Sequence, residues 1–482
     1  MRTFENLEPR KVFSYFEDIC SIPHGSGNTK QISDYCVEFA KAHGLKYRQE
    51  ENNNIIIWKE ATPGYENAGT VILQGHMDMV AVKDADCSLD LEKDGLEPAI
   101  DGDWVYAKGT SLGGDDGIAV AYALAVLASD EIEHPALEAV FTVDEEIGLL
   151  GATALDTSDL KGTTLLNMDS EDDGRFLISC AGGATVECIL PAPQETMDGV
   201  VYEWKLDGLK GGHSGAEIHK GRANANVIFG RYLLDVGGKV PFYAGCIGGG
   251  EKDNAIAKIC SAHIVVKAEQ AEELETQTAA FAKMLKEEFA SVEPDFALTL
   301  TRRKESSEAV LKKEALTALT NLLVHLPAGI QRMMPDFPDM VQTSLNLGVL
   351  KLDQSEVKLT YSVRSSVASE RDWLIKKMVS LTELLGGHCE ISGVYPAWEY
   401  KQESKIRDLI AGAFSDLFGE EPILESIHAG VECGIFCEKI PGHDCVSFGP
   451  QMHDIHTTRE KLSISSVERN WKLLLEVLKR MK

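Results

Sequence analysis

Short, mainly apolar runs recur in the first 170 residues of this chain, with helical segments between them. They read NIIIWKE at 54–60, TVILQGH at 70–76, ALEAVFTVDEE at 136–146 and GTTLLNMDS at 162–170. Strands that are apolar on both faces are typical of a parallel sheet covered by helices, because a half-exposed strand would alternate. The pattern predicts an α/β domain with a mixed, largely parallel sheet and helices on both faces. GIAVAYALAVLAS at 117–129 is apolar nearly all round, which predicts a buried helix.

The chain changes character near Thr185 and returns to its first style near Gly393. Between these points the helices and strands are more amphipathic. The predicted helices there are Ala223–Leu234, Ala268–Val292, Lys312–His325 and Ser369–Leu385, and Glu356–Ser366 is a predicted strand. We therefore predict one domain built from residues 1–184 and 395–482, and a second, inserted α+β domain at 185–394. The first domain opens with helices predicted at Glu8–Ile19 and Thr29–Ala42.

Composition narrows the range of partners. The formal net charge of −29 is spread over 482 residues, which argues against nucleic acid and anionic membranes, since both require a basic patch. No apolar run is long enough to span a bilayer, and the first residues form an amphipathic pattern rather than a signal peptide. Cys433 and Cys437 lack a second pair to complete a zinc framework, so the 11 cysteines are interpreted mainly as core residues. These features predict a cytoplasmic protein.

Acidic and imidazole side chains stand at the carboxyl ends of the apolar runs or in the turns after them. They are His76 and Asp78, Asp115 and Asp116, Glu145 and Glu146, Asp169, and His456. Ligands bind at that edge of open α/β sheets, so we expect these side chains to converge. His76 and Asp78 are two residues apart on an extended chain and therefore point to the same side.

Carboxylates crowded at one sheet edge repel one another, and a divalent cation relieves that repulsion. Imidazole and carboxylate ligands without a thiolate suit zinc, manganese or cobalt. A catalytic ion takes about three protein ligands, so two histidines and three carboxylates serve two ions when one carboxylate bridges them. One acid is then left to act on water.

Each of these motifs has an ordinary structural explanation when it is taken alone. The acids at 144–146 are typical of a solvated turn, and GGDDG at 113–117 is typical of a turn before a helix. A histidine at a strand end is usually a hydrogen-bonded surface residue. The hypothesis of a metal centre depends on four strand ends that carry the same chemistry.

Seven segments together carry a family resemblance. They are GHMDMV (75–80), GTSLGGDDGIAVA (109–121), VFTVDEEIGLLGA (140–152), LLNMDSE (165–171), LKGGHSGAEIHKGRANAN (209–226), EKDNAIA (251–257) and MHDIHT (452–457). In order and spacing they resemble the co-catalytic dizinc metallopeptidases of family M20, and within it the aminoacyl-histidine (Xaa-His) dipeptidases. The resemblance covers nearly the whole chain. It implies a zinc-peptidase-like catalytic domain and an inserted lid of the dimerisation type, which leaves a homodimer open.

The resemblance also implies roles for individual residues. His76 and Asp169 would bind one zinc ion, Glu146 and His456 a second, and Asp115 would bridge the two. Cobalt or manganese could substitute for zinc. The peptide bond between Asp115 and Asp116 would be cis. Asp78 would orient His76, and Glu145 would be the general base. Asp116 stands where related sequences can carry a neutral amide, and its charge could alter the metal preference.

In the inserted domain, the resemblance implies that His213 stabilises the oxyanion, with His219 as the competing choice. Asn254 and Arg364 would hold the end groups of the substrate, and the planar guanidinium of Arg364 suits a carboxylate. Gly430 would line the pocket through its backbone. An ordinary ion pair within the sheet is the alternative explanation for Arg364.

The expected activity is hydrolysis of dipeptides, Xaa-His (carnosine-like) dipeptides above all, by a metal-activated water with Glu145 as base. A small peptide is then the substrate. Two alternatives remain at this point. One is another amide hydrolase of the same type, a tripeptidase or an N-acyl-amino-acid deacylase, and the other is a non-catalytic binding protein on the same fold.

Overall fold

The computed structural model describes residues 2–303 and 306–482. They form two compact units. Unit 1 contains the chain up to Cys180, then Tyr400–Ser426 and Val431–Lys482. Unit 2 contains Ala181–Glu399 and the short segment Ile427–Gly430. The sequence prediction placed residues 181–184, 395–399 and 427–430 in the first domain; the structure gives all three segments to unit 2, where the carbonyl of Ile427 accepts the Ala181 N–H at 3.0 Å.

The strands follow in chain order. They are Lys46–Gln49 (β1), Ile55–Lys59 (β2), Val71–His76 (β3), Pro98–Asp101 (β4), Trp104–Ala107 (β5), Leu137–Thr142 (β6), Thr164–Asn167 (β7), Arg175–Cys180 (β8), Gly182–Pro191 (β9), Gln194–Asp207 (β10), Tyr243–Gly249 (β11), Cys260–Val266 (β12), Ala297–Arg302 (β13), Ser306–Leu311 (β14), Gly329–Met333 (β15), Val341–Leu352 (β16), Glu356–Ser365 (β17), His388–Tyr395 (β18), Ile423–Ile427 (β19), Asp444–Ser447 (β20), Met452–His453 (β21) and Lys461–Ser463 (β22).

The α-helices cover most of the segments predicted from periodicity. They are Arg10–Cys20 (α1), Lys30–Ala42 (α2), Gly114–Leu127 (α3), Leu150–Ala154 (α4), Ala225–Asp235 (α5), Ala271–Glu288 (α6), Lys313–His325 (α7), Ala368–Leu384 (α8), Lys405–Phe418 (α9), Glu432–Lys439 (α10) and Ile464–Arg480 (α11). The predicted helix at 268–292 is shorter at both ends in the structure: a single 3₁₀ turn at Ala268–Gln270 precedes α6, and α6 ends at Glu288. Every residue of α3 is buried, as its all-round apolar pattern predicts.

Unit 1 has an eight-stranded mixed sheet in the order β1-β2-β6-β3-β7-β20-β8-β19. The central strands β6, β3, β7 and β20 are parallel, whereas β2 pairs with β6 and β8 with β20 in the antiparallel sense. The prediction of a mixed α/β sheet is therefore confirmed, and its four central strands are the parallel part. A smaller sheet, β21-β22-β5-β4, lies beside it in the same unit.

Unit 2 has a ten-stranded sheet whose main path is β13-β10-β12-β11-β16-β17-β9-β18. Its pairs are antiparallel, and α5, α6, α7 and α8 pack their apolar faces on it. This is the α+β architecture that the amphipathic patterning predicts.

The cap of the last helix differs from the sequence prediction. The spacing of Ser465 and Glu468 predicts a capping box, but the Oγ of Ser463 accepts the Ser466 N–H at 3.2 Å and caps α11. Ser465 instead donates its hydroxyl to Asp103 at 2.7 Å. The strand β22 delivers Ser463 directly to the helix start, and this strand pairing is not visible in a local motif.

Candidate metal centre

Three parallel strands bring their carboxyl ends to one edge of the unit 1 sheet. His76 ends β3, Glu145 and Glu146 follow β6, and Asp169 follows β7. Since β6, β3 and β7 are neighbours, these side chains reach the same place. The start of α3 adds Asp115, and the loop after β21 adds His456. The structure thus gathers all the acids and histidines that the sequence singles out at this edge.

Asp115 lies at the middle of the cluster and divides its two carboxylate oxygens. Its Oδ1 is 3.1 Å from Nε2 of His76, whose Nε2 is also 3.7 Å from Asp169. The Oδ2 of Asp115 is 3.2 Å from Nε2 of His456, and this nitrogen lies 2.8 Å from Glu146. Two pairs of side chains therefore face opposite oxygens of one buried carboxylate, which is the arrangement that a bridging ligand requires.

Asp78 supports the backbone of the neighbouring turn as well as His76. The nearest partner of the His76 Nδ1 is the carbonyl oxygen of Asp78, at 2.9 Å, and the Asp78 carboxylate is farther away at 3.5 Å. That carboxylate accepts the N–H of Glu145 at 3.1 Å, the N–H of Glu146 at 3.4 Å and the hydroxyl of Ser26 at 2.8 Å. Asp78 thus holds the two glutamates in place through their main chain.

Asp116 faces the backbone of β3. Its Oδ2 accepts the His76 N–H at 3.1 Å, and burial followed by the Asp169 charge raises its pKa well above the usual range. The peptide bond between Asp115 and Asp116 is cis, as the resemblance implies. At Gly75 a Cβ would lie 2.7 Å from Oδ2 of Asp116 and 2.6 Å from Cβ of Ala119, so only glycine lets α3 approach β3 this closely.

Strong electrostatic coupling marks the cluster. Burial alone would raise the pKa of Asp115, but its contacts with His456 and His76 hold that pKa well below the usual range. Asp115 and then Glu146 raise the pKa of His456 to about 10. Burial, and then the charges of nearby acids, raise the pKa of Glu145 to about 9 and that of Asp169 to about 6. The site therefore contains more carboxyl groups than can be ionised together without a cation.

The donor set fits divalent metal ions. The cluster has two halves, one with His76 and Asp169 and the other with His456 and Glu146. Each half offers one imidazole nitrogen and carboxylate oxygens, which zinc, cobalt and manganese accept, and Asp115 can serve both halves. A different group of metal-type residues, Cys246, His263 and Glu308, lies in unit 2. There Nδ1 of His263 lies 3.3 Å from Glu308, and the guanidinium of Arg303 approaches Nε2 of the same ring to 2.6 Å.

The predicted residues of unit 2 include a histidine with a defined tautomer. Nδ1 of His213 accepts the N–H of Ala216 at 3.1 Å and that of Gly215 at 3.3 Å, so the proton of the neutral ring resides on Nε2. Burial and then the Arg364 charge lower the pKa of His213, which keeps the ring neutral. His213 is thus a ready hydrogen-bond donor. The competing choice, His219, is exposed on the single turn Ile218–Lys220.

Arg364 is buried in unit 2 beside a histidine that the sequence analysis missed. The Nη1 of Arg364 donates to the Tyr395 hydroxyl at 2.9 Å, while its Nε is buried without a hydrogen-bond partner. His428 shares a hydrogen bond of 2.7 Å with Ser344, and burial followed by the Arg364 charge lowers its pKa to about 3. A buried guanidinium among neutral imidazoles suits an anionic ligand group.

The remaining predicted residues occupy different positions in unit 2. Asn254 is exposed, and its main-chain carbonyl accepts the Ser214 N–H at 2.8 Å, next to His213. Gly430 ends the segment 427–430, two residues after His428.

Two buried glutamates close to the centre were also missed. Glu432 is fully buried at the start of α10, where it accepts hydrogen bonds from Gln74 and from the Thr142 hydroxyl. Glu460 is 3% exposed and contacts the loop that carries Asp115. For Glu432 the signal would have been a single charge between apolar or small residues, which is weak, because most such charges are solvated. Glu460 stands between Arg459 and Lys461 and carries no such signal.

The chain matches the model of "Peptidase family M20/M25/M40" over residues 72–480. It is similar to the cytosol non-specific dipeptidase of Escherichia coli K12, with 37% identity over 100% of this chain and 99% of the relative. The structure is similar to that of the aminoacylhistidine dipeptidase from Vibrio alginolyticus, with a TM-score of 0.93 and 35% identity over 99% of this chain and 98% of that one.

A tripeptidase structure from Staphylococcus aureus shares the fold at a TM-score of 0.55 and 18% identity, over 98% of this chain and 99% of that one. Among the residues that the structure describes, no helix is both long and apolar enough to cross a membrane. The full-length match, the shared architecture and the cluster around Asp115 lead to one assignment: the chain belongs to peptidase family M20/M25/M40 and is a peptide-bond hydrolase.

Proposed function

We propose that the protein hydrolyses dipeptides, including Xaa-His dipeptides, at a centre that holds two zinc ions. The observation that carries the proposal is the buried carboxylate of Asp115, whose two oxygens face His76 on one side and His456 on the other. A single carboxylate between two imidazoles, each with a further acid beside it, provides for two ions and one bridge.

In this proposal His76 and Asp169 would hold one ion, Glu146 and His456 would hold the other, and Asp115 would serve both. Cobalt and manganese accept the same donors and could substitute. When bound, the two ions would polarise the scissile carbonyl, lower the pKa of a bound water and favour the ionised form of Glu145. Asp78 keeps Glu145 and Glu146 in place, because its carboxylate accepts a hydrogen bond from the N–H of each.

Glu145 acts as the general base. It is half-buried next to Glu146, and the Asp78 carboxylate fixes the turn that carries both side chains by accepting hydrogen bonds from their N–H groups. Glu145 takes the proton of the attacking water as the new C–O bond forms. It then passes that proton to the departing amine as the C–N bond breaks, so that no proton is left over.

Arg364 and His213 act on the substrate. The buried guanidinium of Arg364, with its unpartnered Nε, grips the C-terminal carboxylate of the peptide. The Nε2–H of His213 donates to the oxyanion that forms during attack. Asn254 and the backbone of Gly430 complete the recognition of the end groups.

Support for dipeptides comes from two relatives. The Escherichia coli relative bears the name of a non-specific dipeptidase, and the Vibrio structure that of an aminoacylhistidine dipeptidase. We therefore place Xaa-His dipeptides within a wider dipeptide range, with tripeptides and N-acyl amino acids as the alternative substrates. The cytosolic name of the first relative supports a cytoplasmic location.

The test is a panel of dipeptides, tripeptides and N-acyl amino acids incubated with metal-free protein and with protein reloaded with zinc, cobalt or manganese. Turnover should require metal, stop on chelation and be fastest with dipeptides. If N-acyl amino acids are cleaved faster than dipeptides, the protein is a deacylase and the dipeptidase proposal is wrong. Turnover by the metal-free protein at the full rate would contradict the metal mechanism.

A further inference from the structure

Glu460 receives several main-chain hydrogen bonds from one loop. Its Oε2 accepts the N–H of Leu112 at 2.8 Å and that of Gly113 at 3.2 Å, and its Oε1 accepts the N–H of Gly114 at 2.8 Å. The N–H of Asp115 is 3.5 Å from the same Oε1. The Glu460 carboxylate, which is 3% exposed, therefore accepts hydrogen bonds from the consecutive main-chain N–H groups that precede Asp115.

The same glutamate ends the turn that carries His456. The N–H of Glu460 donates to the carbonyl of Thr457 at 3.2 Å, and the Thr457 hydroxyl donates to the carbonyl of Asp454 at 2.7 Å. His456 itself has a φ of 60°, a left-handed conformation that a non-glycine residue adopts only where its surroundings hold it. Glu460 thus connects the turn of His456 to the loop of Asp115.

The geometry of the loop leaves little room for another arrangement. Gly113 has a φ of 68°, and a Cβ there would lie 2.8 Å from Sδ of Met79. A Cβ at Gly114 would lie 3.3 Å from Oε1 of Glu460. The backbone passes directly over the carboxylate, so its amides have Glu460 as their partner in place of water.

We propose that Glu460 is a positioning residue for the metal centre: it fixes Asp115 relative to His456 and thereby sets the affinity for the ion at the His456 half. The inference rests on the proposed metal function. Both ligands reach Glu460 through the backbone, so its loss would allow the bridging carboxylate and the imidazole to separate. The half with His76 and Asp169 is affected less, because these residues are held by β3 and β7.

A glutamine tests the need for a carboxylate at constant shape. In Glu460→Gln one oxygen is replaced by an NH₂ group. This group is a donor, so it cannot accept hydrogen bonds from the backbone N–H groups that face it. Glu460→Asp keeps the carboxylate but withdraws it by one methylene. The matched control is Glu138→Gln, because Glu138 is 1% exposed and accepts the N–H of Lys161 and Gly162 at the far end of β6.

The experiment titrates metal-free protein with zinc in competition with a chelator and counts bound ions per chain. Removal of a residue that supports a metal ligand typically weakens metal binding by about 10–100-fold. We expect Glu460→Gln to show that loss for one of two ions, Glu460→Asp to lie between it and the wild type, and Glu138→Gln to bind as the wild type does. At saturating zinc the kcat of Glu460→Gln should recover most of its value.

Thermal unfolding of the chelated proteins separates positioning from a purely structural role. If Glu460→Gln and Glu138→Gln are both destabilised but bind zinc with wild-type affinity, the inference is wrong. A wild-type protein that binds no metal would overturn the proposed function instead. Wild-type protein with two ions and an equal loss of both in Glu460→Gln would contradict the assignment to the His456 half.

Discussion

Glu145 and Glu146 are adjacent in the chain, yet their surroundings differ. Glu146 lies 2.8 Å from Nε2 of His456, at the ligand edge of the cluster. Glu145 is half-buried, and desolvation followed by the charges of Asp169 and Glu432 raises its pKa to about 9. Both are held by Asp78 through their N–H groups, so a substitution in either side chain leaves the turn in place.

Glu145→Gln should abolish turnover while metal content stays close to that of the wild type, because an amide cannot accept the proton of water. Glu146→Gln should lose one ion, because the amide replaces a ligand oxygen. Metal analysis and single-turnover kinetics of the two proteins make the comparison. The opposite pattern would mean that base and ligand are interchanged.

A second prediction distinguishes the roles of two histidines of unit 2. His213→Ala should lower kcat by about 10²–10³, the usual cost of removing one oxyanion donor, with a much smaller change in KM. Metal content should not change. His219→Ala is the control, because that side chain is exposed. Steady-state kinetics decide, and a wild-type kcat for His213→Ala would exclude its role in the reaction.

At the scale of elements, the site depends on how closely α3 approaches β3. Gly75→Ala would place a Cβ 2.6 Å from that of Ala119 and 2.7 Å from Asp116, and neither lies at the end of a long flexible chain. We expect a loss of about 1–3 kcal/mol in the free energy of unfolding, as in other overpacked cores, together with weaker metal binding.

Gly412→Ala is the matched control for this substitution. Gly412 lies within α9, and a Cβ there has no neighbour within 4 Å among the described residues. Alanine favours the helix over glycine by roughly 0.5–1 kcal/mol, so this variant should be slightly stabilised. Denaturant unfolding of the chelated proteins measures both changes. Equal effects at the two positions would show that the contact at Gly75 is not tight.

At the scale of the whole molecule, buried histidines make stability depend on pH. His443 is 1% exposed in unit 1, and burial, with the Lys401 charge, lowers its pKa from 6.5 to about 4. Between these values the unfolded chain binds more protons at this position than the folded one. The stability it contributes is therefore complete above pH 6.5 and is lost as the pH falls toward 4.

The expected loss through this group is on the order of 3 kcal/mol. Unfolding of chelated protein, followed at several pH values, should show a shallower pH dependence for His443→Gln than for the wild type. Metal is removed first because protonation of the ligands would release it and add its own pH dependence. Parallel pH profiles for the two proteins would contradict the assignment.

The sequence by itself determined the class of fold and the residues that meet at the sheet edge. Both follow from local patterns: strands without polar alternation require cover on both faces, and their parallel ends require His76, Glu146 and Asp169 to share an edge. The family resemblance added the cis peptide bond, which the structure contains, and the assignment of the ligands to two ions, which stays a prediction. The division of tasks between Glu145 and Glu146 stays a prediction.

Only the tertiary structure decided which partners hold these residues. It shows that the Asp78 carboxylate supports the turn at Glu145, that Ser463 rather than Ser465 caps α11, and that residues 427–430 pack with unit 2. Glu460 reaches Leu112 across 348 positions of sequence. A hydrogen bond over such a separation leaves no periodicity or spacing in the chain, because it exists only once folding has brought the two loops together.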